Sequence, residues 1–121
     1  MIVAGFGFTS QATSDSLLSA LAKTGMAADI TLLATPADKA TQAPIRALAT
    51  DHLPIKPITP ERLEKAQTQT QSPISQAARR TGSVAEAAAL AAAGPQGTLV
   101  VTRQISDDRM ATCAIAKGPD T

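Results

Sequence analysis

Alanine is the residue that most constrains what this chain can fold into, because it occupies 25 of the 121 positions. The larger apolar residues are few: Leu, Ile, Val and Phe together number 24, and the sequence has no Tyr or Trp. Such a composition approaches that of disordered chains, but disorder also requires a high net charge, and the net charge here is only +1. The sequence therefore predicts a folded domain with a modest core, whose small side chains let helices and strands pack closely.

The charge balance and the scarcity of aromatic residues exclude several classes of function. A nearly neutral chain with two Phe has neither the basic surface nor the stacking residues of a nucleic-acid-binding protein. The single His and single Cys, His52 and Cys113, exclude a disulfide framework and an ordinary zinc site, so we predict no metal and no other cofactor. Cys113 is expected in the core. No apolar run is long enough to cross a membrane and no secretory signal precedes the first strand, so we expect a soluble, cytoplasmic protein.

The N-terminal half alternates short apolar runs with amphipathic segments, which is typical of strands separated by helices. Two prolines in the run at 53–58 cannot donate hydrogen bonds to a sheet, so this run is a short or edge strand at best. The other predicted elements are a strand at 2–4 that enters a tight turn at Gly5-Phe6-Gly7, a helix with Leu17, Leu18 and Leu21 on one face that stops at Thr24-Gly25, a strand at 30–34, and a helix from Ala37 or Pro44 to Thr50.

The C-terminal half begins with a helix start, in which Thr59 is the N-cap and Pro60 the first helical residue. We expect this helix to be short, because the polar residues from Gln67 onward have no apolar face, and we predict a mobile loop at 67–72. The elements predicted after it are another helix start at Ser72-Pro73, an alanine-rich helix at 83–93 stopped by Gly94-Pro95, a strand at 98–102 buried on both faces, a hairpin turn at 106–108 and a strand at 109–116.

Strands that alternate with helices favour crossover connections and a parallel sheet. The last two strands are joined by a short turn, which adds an antiparallel pair to that sheet. The sequence thus predicts a single three-layer α/β/α domain over residues 1–117, with a mixed, mostly parallel sheet of about five strands ending in an antiparallel hairpin, followed by a tail at 118–121.

The first candidate site is the segment from Gly5 to Ser10. Gly5 and Gly7 would let a ligand approach the backbone, and the hydroxyls of Thr9 and Ser10 would add hydrogen-bond donors. Ser10 stands where the dinucleotide-binding fingerprint has its third glycine, so that fingerprint is incomplete. A turn followed by a helix cap explains the segment about as well as a ligand-binding loop does.

The second candidate site is Gly82-Ser83 with Glu86. Ser83 and Glu86 have the spacing of a capping box, in which each side chain accepts a hydrogen bond from the other residue's backbone at a helix start. Capping is the stronger explanation of this pair, although an anion bound at the same helix end would share it with the cap.

The third candidate site is a set of three cations, Arg79, Arg80 and Arg103. Arg103 follows the predicted buried strand, at the end of a strand where open α/β sheets usually bind ligands. Guanidinium groups bind carboxylates bidentately, so the set would suit a ligand rich in carboxylates. Solvation at the surface remains the default explanation for any one of the three.

Three segments together resemble a known family. They are Gly5-Phe6-Gly7 with Thr9-Ser10, the run Thr81-Gly82-Ser83-Val84-Ala85-Glu86-Ala87-Ala88-Ala89-Leu90, and Leu99-Val100-Val101-Thr102-Arg103 with Ala114-Ile115-Ala116. Their order and spacing resemble the CobE family of cobalamin biosynthesis, which is similar to the C-terminal domain of CbiG, the cobalt-precorrin lactone hydrolase. The chain departs from related sequences at Phe8, where they commonly have Cys or Arg, and at Arg103, where they often have Lys.

The resemblance implies a place in the corrin-ring pathway, in its aerobic branch when the domain stands alone. It leads to the hypothesis that the protein is a binding or accessory protein for a precorrin or corrinoid intermediate, whose carboxylates would contact the residues of the candidate sites. The ligand-binding set is Gly5, Gly7, Thr9 and Ser10 on one wall and Gly82, Ser83, Glu86 and Arg103 on the other.

Two alternatives remain open. One is a hydrolase that opens the ring-contraction lactone, with Glu86 as the catalytic base and Arg103 stabilising the oxyanion. The other is a scaffold that contacts other enzymes of the corrin pathway and passes intermediates between them. Neither alternative nor the leading hypothesis involves nucleic acid or a membrane.

Overall fold

The computed structural model of the protein describes residues 1–70 and 84–118. Its centre is a five-stranded sheet in the order β3-β2-β1-β5-β4, in which β1, β2 and β3 are parallel and β5 is antiparallel to both of its neighbours. The α/β class and the mixed sheet with a final antiparallel hairpin are as predicted. The strands are β1 (Ile2–Phe8), β2 (Leu32–Pro36), β3 (Ile55–Ile58), β4 (Thr98–Ile105) and β5 (Ala111–Lys117).

Helices cover both faces of the sheet and complete the three layers. One face packs against the first two helices and the other against the last two, and each face has its own cluster of buried residues. Within residues 1–70 and 84–118, no helix combines the length and the hydrophobicity that a membrane crossing requires. The helices are α1 (Ser14–Lys23), α2 (Ala43–Arg46), α3 (Pro60–Thr70) and α4 (Val84–Ala93).

The central strand β1 has two different faces. Phe6 and Phe8 belong to the buried cluster on the side of α1, whereas the glycines between and before them face α4. The predicted turn at Gly5-Phe6-Gly7 is wrong, because β1 continues through both glycines to Phe8. A Cβ atom at Gly5 would lie 2.5 Å from the backbone nitrogen of Ala89, so the absence of a side chain lets α4 pack directly on the strand.

The alanines of α4 make the matching surface of this contact. Ala85, Ala87, Ala88 and Ala89 are fully buried, and the helix packs across the whole sheet. The prediction that alanine permits close packing of this helix is confirmed. Its predicted end is confirmed as well, because α4 ends at Ala93 and Gly94 has φ +96°, a conformation that favours glycine.

The first helix begins at a capping box that is not among the predicted features. The Thr13 side chain accepts a hydrogen bond from the Ser16 N–H, and the Ser16 hydroxyl oxygen accepts one from the Thr13 N–H. Leu17 and Leu21 are buried as predicted, but Leu18 is 48% exposed, because it lies on the other side of the helix from the sheet. The prediction for Leu18 is therefore wrong.

Several element boundaries differ from the predictions. Strand β2 starts two residues later, at Leu32, and α2 has only four residues. Helix α3 begins after Thr59, whose hydroxyl accepts a hydrogen bond from the Arg62 N–H, but it extends to Thr70. The predicted loop at 67–72 is thus wrong for residues 67–70, and its last two residues and Ser72-Pro73 lie outside the described residues.

Both edges of the sheet have features that limit pairing. At one edge β3 contains Pro57, as predicted for an edge strand. At the other edge β4 pairs only with β5, through two register shifts, and Val100 is 47% exposed. The prediction that 98–102 is buried on both faces is therefore wrong. An apolar run is typical of a buried strand, but it does not indicate whether that strand lies inside the sheet or at its edge. At its far end β5 leads into Gly118, the first residue of the predicted tail, which is buried and donates its N–H to the Met1 carbonyl.

Candidate functional site

A cavity of about 400 Å³ lies at the edge of the sheet where β1 and β2 end. Because β5 runs antiparallel to β1, its first residue, Ala111, pairs with Phe8 and reaches the same edge. This is the position at which open α/β sheets bind their ligands, and the volume lies within the range of small-molecule sites. The lining residues are Gly7, Phe8, Thr9, Pro36, Asp38, Lys39, Leu63, Val84, Arg109, Met110, Ala111 and Thr112.

The cavity has apolar walls and three charged residues. Leu63 from α3 and Val84 from α4 contribute apolar surface, and the charged residues are Lys39, Arg109 and Asp38. The Lys39 ammonium lies over the Phe8 ring, with 5.4 Å between Nζ and the ring centroid, which is a cation–π distance. The residues that line the cavity thus carry two positive charges and one negative charge, which favours an anionic ligand with an apolar body.

The hairpin between β4 and β5 fixes one wall of the cavity. The Arg109 N–H donates to the Ser106 carbonyl at 2.9 Å, which closes the turn. Asp108 stabilises the turn, because its Oδ1 accepts hydrogen bonds from the Ser106 hydroxyl at 2.6 Å and from the Met110 N–H at 2.9 Å. The prediction of a hairpin turn at 106–108 is confirmed, and Asp108 serves turn chemistry, as the sequence indicated.

The same carboxylate connects the hairpin to α1. Asp108 Oδ2 accepts a hydrogen bond from the Ser16 hydroxyl at 2.5 Å, and the Ser16 side chain is buried. Hydrogen bonds from Ser106, Ser16 and the Met110 N–H, in that order of importance, lower the pKa of Asp108 below its usual value. A surface ion pair between Lys23 and Asp107, at 2.7 Å, joins the same two elements.

Two of the predicted site residues lie at the cavity. Gly7 and Thr9 line it, and the Thr9 N–H donates to the Met110 carbonyl at 2.9 Å. The Thr9 hydroxyl donates to the Met110 sulfur at 3.4 Å. Gly5 is instead buried beneath α4, and Ser10 is exposed and does not line the cavity.

Glu86 and Arg103 lie together but away from the cavity. Glu86 is only 8% exposed, and its Oε2 accepts a hydrogen bond from the Arg103 backbone N–H at 3.0 Å, which joins α4 to the edge strand β4. The Arg103 residue is exposed, and neither residue lines the cavity. Gly82, Ser83 and the pair Arg79-Arg80 lie outside the described residues, as does the capping partner predicted for Glu86.

The remaining candidates have structural explanations. Cys113 is fully buried in the cluster on the α1 side, and burial raises the pKa of its thiol, as expected for a core residue. His52 is exposed and lies in a turn. Among the described residues, no three His, Cys, Asp or Glu side chains are grouped so that they could hold a metal ion.

The charged residues of the cavity are not among the site residues predicted from the sequence. Asp38 and Lys39 follow β2, and the rule that ligands bind at the carboxyl ends of strands would have identified them once β2 was placed correctly. No comparable signal marks Arg109, because its place at the cavity depends on the antiparallel pairing of β5 with β1.

The family model described as "Cobalamin synthesis G C-terminus" matches residues 2–116. Among solved structures, the cobalamin biosynthesis protein chiG from Agrobacterium tumefaciens str. C58 is 31% identical to this chain, with a TM-score of 0.71, and the match covers 99% of this chain and 100% of that chain. CobE, described as a protein from the cobalamin (vitamin B12) biosynthetic pathway, is also 31% identical, with a TM-score of 0.77 and coverage of 96% of this chain and 89% of that chain. No curated protein sequence matches the chain.

The sequence match and both structural matches extend over almost the whole chain, and all three point to the same pathway. The resemblance to CobE and to the C-terminal domain of CbiG is thereby confirmed. The chain belongs to the cobalamin synthesis G C-terminus family and is a protein of cobalamin biosynthesis.

Proposed function

We propose that the protein binds a carboxylate-rich precorrin or corrinoid intermediate in the cavity at the ends of β1 and β2, as a cytoplasmic accessory or carrier protein of the aerobic pathway. The observation that carries this proposal is the pair of cations, Lys39 and Arg109, on an otherwise mainly apolar lining. Corrinoid intermediates are macrocycles with several acetate and propionate arms, so they combine an apolar body with carboxylates.

The charges of the cavity suit this ligand class better than a neutral one. A carboxylate that meets Arg109 or Lys39 forms a charge-assisted hydrogen bond, which is stronger than a bond between neutral groups. The apolar residues Leu63, Val84 and Met110 offer contact area for the edge of the macrocycle. Because few aromatic residues are available, the carboxylates would supply most of the specificity.

The hydrolase alternative has less support. Lactone opening needs a base that reaches the attacking water, and Glu86 lies away from the cavity with its Oε2 bonded to the Arg103 backbone. This hydrogen bond supports a structural role for Glu86 at α4 over a catalytic one. The scaffold alternative has no specific surface in its favour among the described residues.

The proposal is tested by titrating the purified protein with hydrogenobyrinic acid, a corrin with free carboxylates, and following the visible absorption spectrum. We expect a saturable spectral change at micromolar concentrations. The variant Lys39→Met should weaken binding by ~10- to 100-fold, the effect of removing one hydrogen bond to a charged group. The matched control is Lys117→Met, because Lys117 is exposed and lies at the opposite end of the sheet, where it pairs with Ile2.

Two outcomes would overturn the proposal. One is the absence of a spectral change at micromolar protein and ligand. The other is equal weakening by Lys39→Met and Lys117→Met, which would indicate that the ligand associates with positive charge in general and not with this cavity.

A further inference from the structure

Arg109 has a backbone conformation that its residue type rarely adopts. Its φ is +62°, and it is the only non-glycine residue with a positive φ in the described ranges 1–70 and 84–118. The turn uses only the backbone of this residue, through the hydrogen bond from its N–H to the Ser106 carbonyl. Glycine would close the same turn without strain, so the presence of arginine points to a use for its side chain.

The surroundings of the Arg109 side chain indicate a role in the cavity. The residue is exposed and lines the cavity, and its guanidinium has no hydrogen-bond or ion-pair partner within the described part of the chain. Asp108, although adjacent in sequence, is occupied by Ser106, Ser16 and the Met110 N–H. The arginine side chain is thus available to a ligand, and its backbone is fixed by the hydrogen bonds of the hairpin.

Lys39 reaches the cavity from the other side of β1. It follows β2, whereas Arg109 precedes β5, and these two strands are the neighbours of β1 in the sheet. Two strand spacings separate β2 from β5, on the order of 10 Å. The Lys39 ammonium lies over the Phe8 ring, whereas Arg109 stands beyond β1 on the β5 side, so two carboxylate arms on different parts of a ligand can each reach one of the cations.

We infer that Arg109 and Lys39 bind two different carboxylates of one ligand, on either side of the apolar floor that β1 provides, and that Arg109 determines specificity. This inference rests on the proposed function. It narrows the ligand class to molecules with two carboxylate arms separated along one edge. Asp38, the third charged residue of the lining, limits how many carboxylates the cavity accepts.

The inference is tested by the same titration with four variants. Arg109→Asn removes the charge but suits the left-handed backbone, so its melting temperature should equal or exceed that of the wild type, while the Kd for hydrogenobyrinic acid rises by ~10- to 100-fold. Arg109→Lys should recover part of the affinity. Arg46→Gln, the matched control, removes an exposed arginine at the end of α2 that does not line the cavity and should leave the Kd unchanged.

The fourth variant combines Lys39→Met with Arg109→Asn. Two cations that bind separate carboxylates act independently, so the fold-changes of the single variants should multiply in the double variant. A double variant no weaker than either single one would overturn the two-carboxylate arrangement. An unchanged Kd in Arg109→Asn, or an equal loss of affinity in Arg46→Gln, would overturn the role of Arg109. Failure of the wild type to bind would instead count against the proposed function itself.

Discussion

At the scale of the residue, Gly5 has the least room for a side chain among the glycines that the structure describes. The nearest atoms to an added Cβ include the Ala89 nitrogen at 2.5 Å and the Ala89 Cβ at 2.8 Å, and both belong to the buried helix α4. The substitution Gly5→Ala would force the helix away from the strand. We expect the free energy of unfolding, measured by urea denaturation, to fall by ~1–3 kcal/mol or more, as in other overpacked cores.

Gly7 provides the control for this prediction, because it lies on the same face of β1 but faces Val84, the first residue of α4. A Cβ there would lie 3.1 Å from the Thr112 Oγ1 and 3.2 Å from the Val84 Cγ1, and both of these atoms belong to side chains that can shift. Gly7→Ala should therefore cost less than Gly5→Ala. If the two variants lose equal stability, the close approach of α4 is not what requires glycine at position 5.

Asp108 makes part of the stability depend on pH. Hydrogen bonds to its carboxylate hold its pKa below the usual value in the folded state. The resulting stabilisation is present above the pKa of the unfolded chain, near pH 4, and is lost as the pH falls through the lower folded-state pKa. We expect wild type to be more stable than Asp108→Asn at pH 7, and the difference between their urea midpoints to shrink as the pH falls below about 4.

The exposed carboxylate of Asp51 serves as a control, because Asp51→Asn removes the same charge at a turn remote from the hairpin. A difference between wild type and Asp108→Asn that stayed constant down to pH 2 would show that the hydrogen bonds at this hairpin do not depend on ionisation.

At the scale of the element, α4 depends on alanine along its length. Ala88 and Ala89 are fully buried against the sheet, and leucine at either position adds three carbon atoms where there is no space. Each variant, Ala88→Leu or Ala89→Leu, should lower the free energy of unfolding by ~1–3 kcal/mol. Ala22→Leu is the matched control, because Ala22 is exposed on α1 and both residues favour helix. Stability of Ala88→Leu equal to that of the control would mean that the helix is not tightly packed.

The sequence was sufficient to predict those elements whose ends have strong local signals. Thr59-Pro60 and Gly94 correctly marked one helix start and one helix end, because capping and positive φ are properties of the local chain. The turn predicted at the glycines of β1 is wrong, since glycine marks turns more often than strands. The alternation of Phe6 and Phe8 with Gly5 and Gly7 was the available signal for a two-faced strand.

At the scale of the whole molecule, the wrong predictions concern which elements pack next to each other. The apolar run in β4 gives no indication that the strand lies at an edge, and Leu18 gives none that it faces away from the sheet. The same holds for the site: Gly7 and Thr9 are predicted from a glycine-containing segment between a strand and a helix, while Lys39 and Arg109 come together only through the strand order. Local patterns predict elements, but the tertiary arrangement decides which side chains share a cavity.

The close packing on the glycine face of β1 also bears on which parts of the domain unfold locally. Hydrogen-bonded strands flank β1 on both sides, and helices are packed on both of its faces, so we expect its amide protons to exchange with water only when the entire domain unfolds. We expect the edge strand β4, with its two register shifts, to separate at a smaller free-energy cost. The cavity lies between these two regions, with Gly7 on the rigid strand and Arg109 on the hairpin that begins at β4. A ligand that contacts both would couple the edge strand β4 to the centre of the sheet and so reduce the local opening of β4.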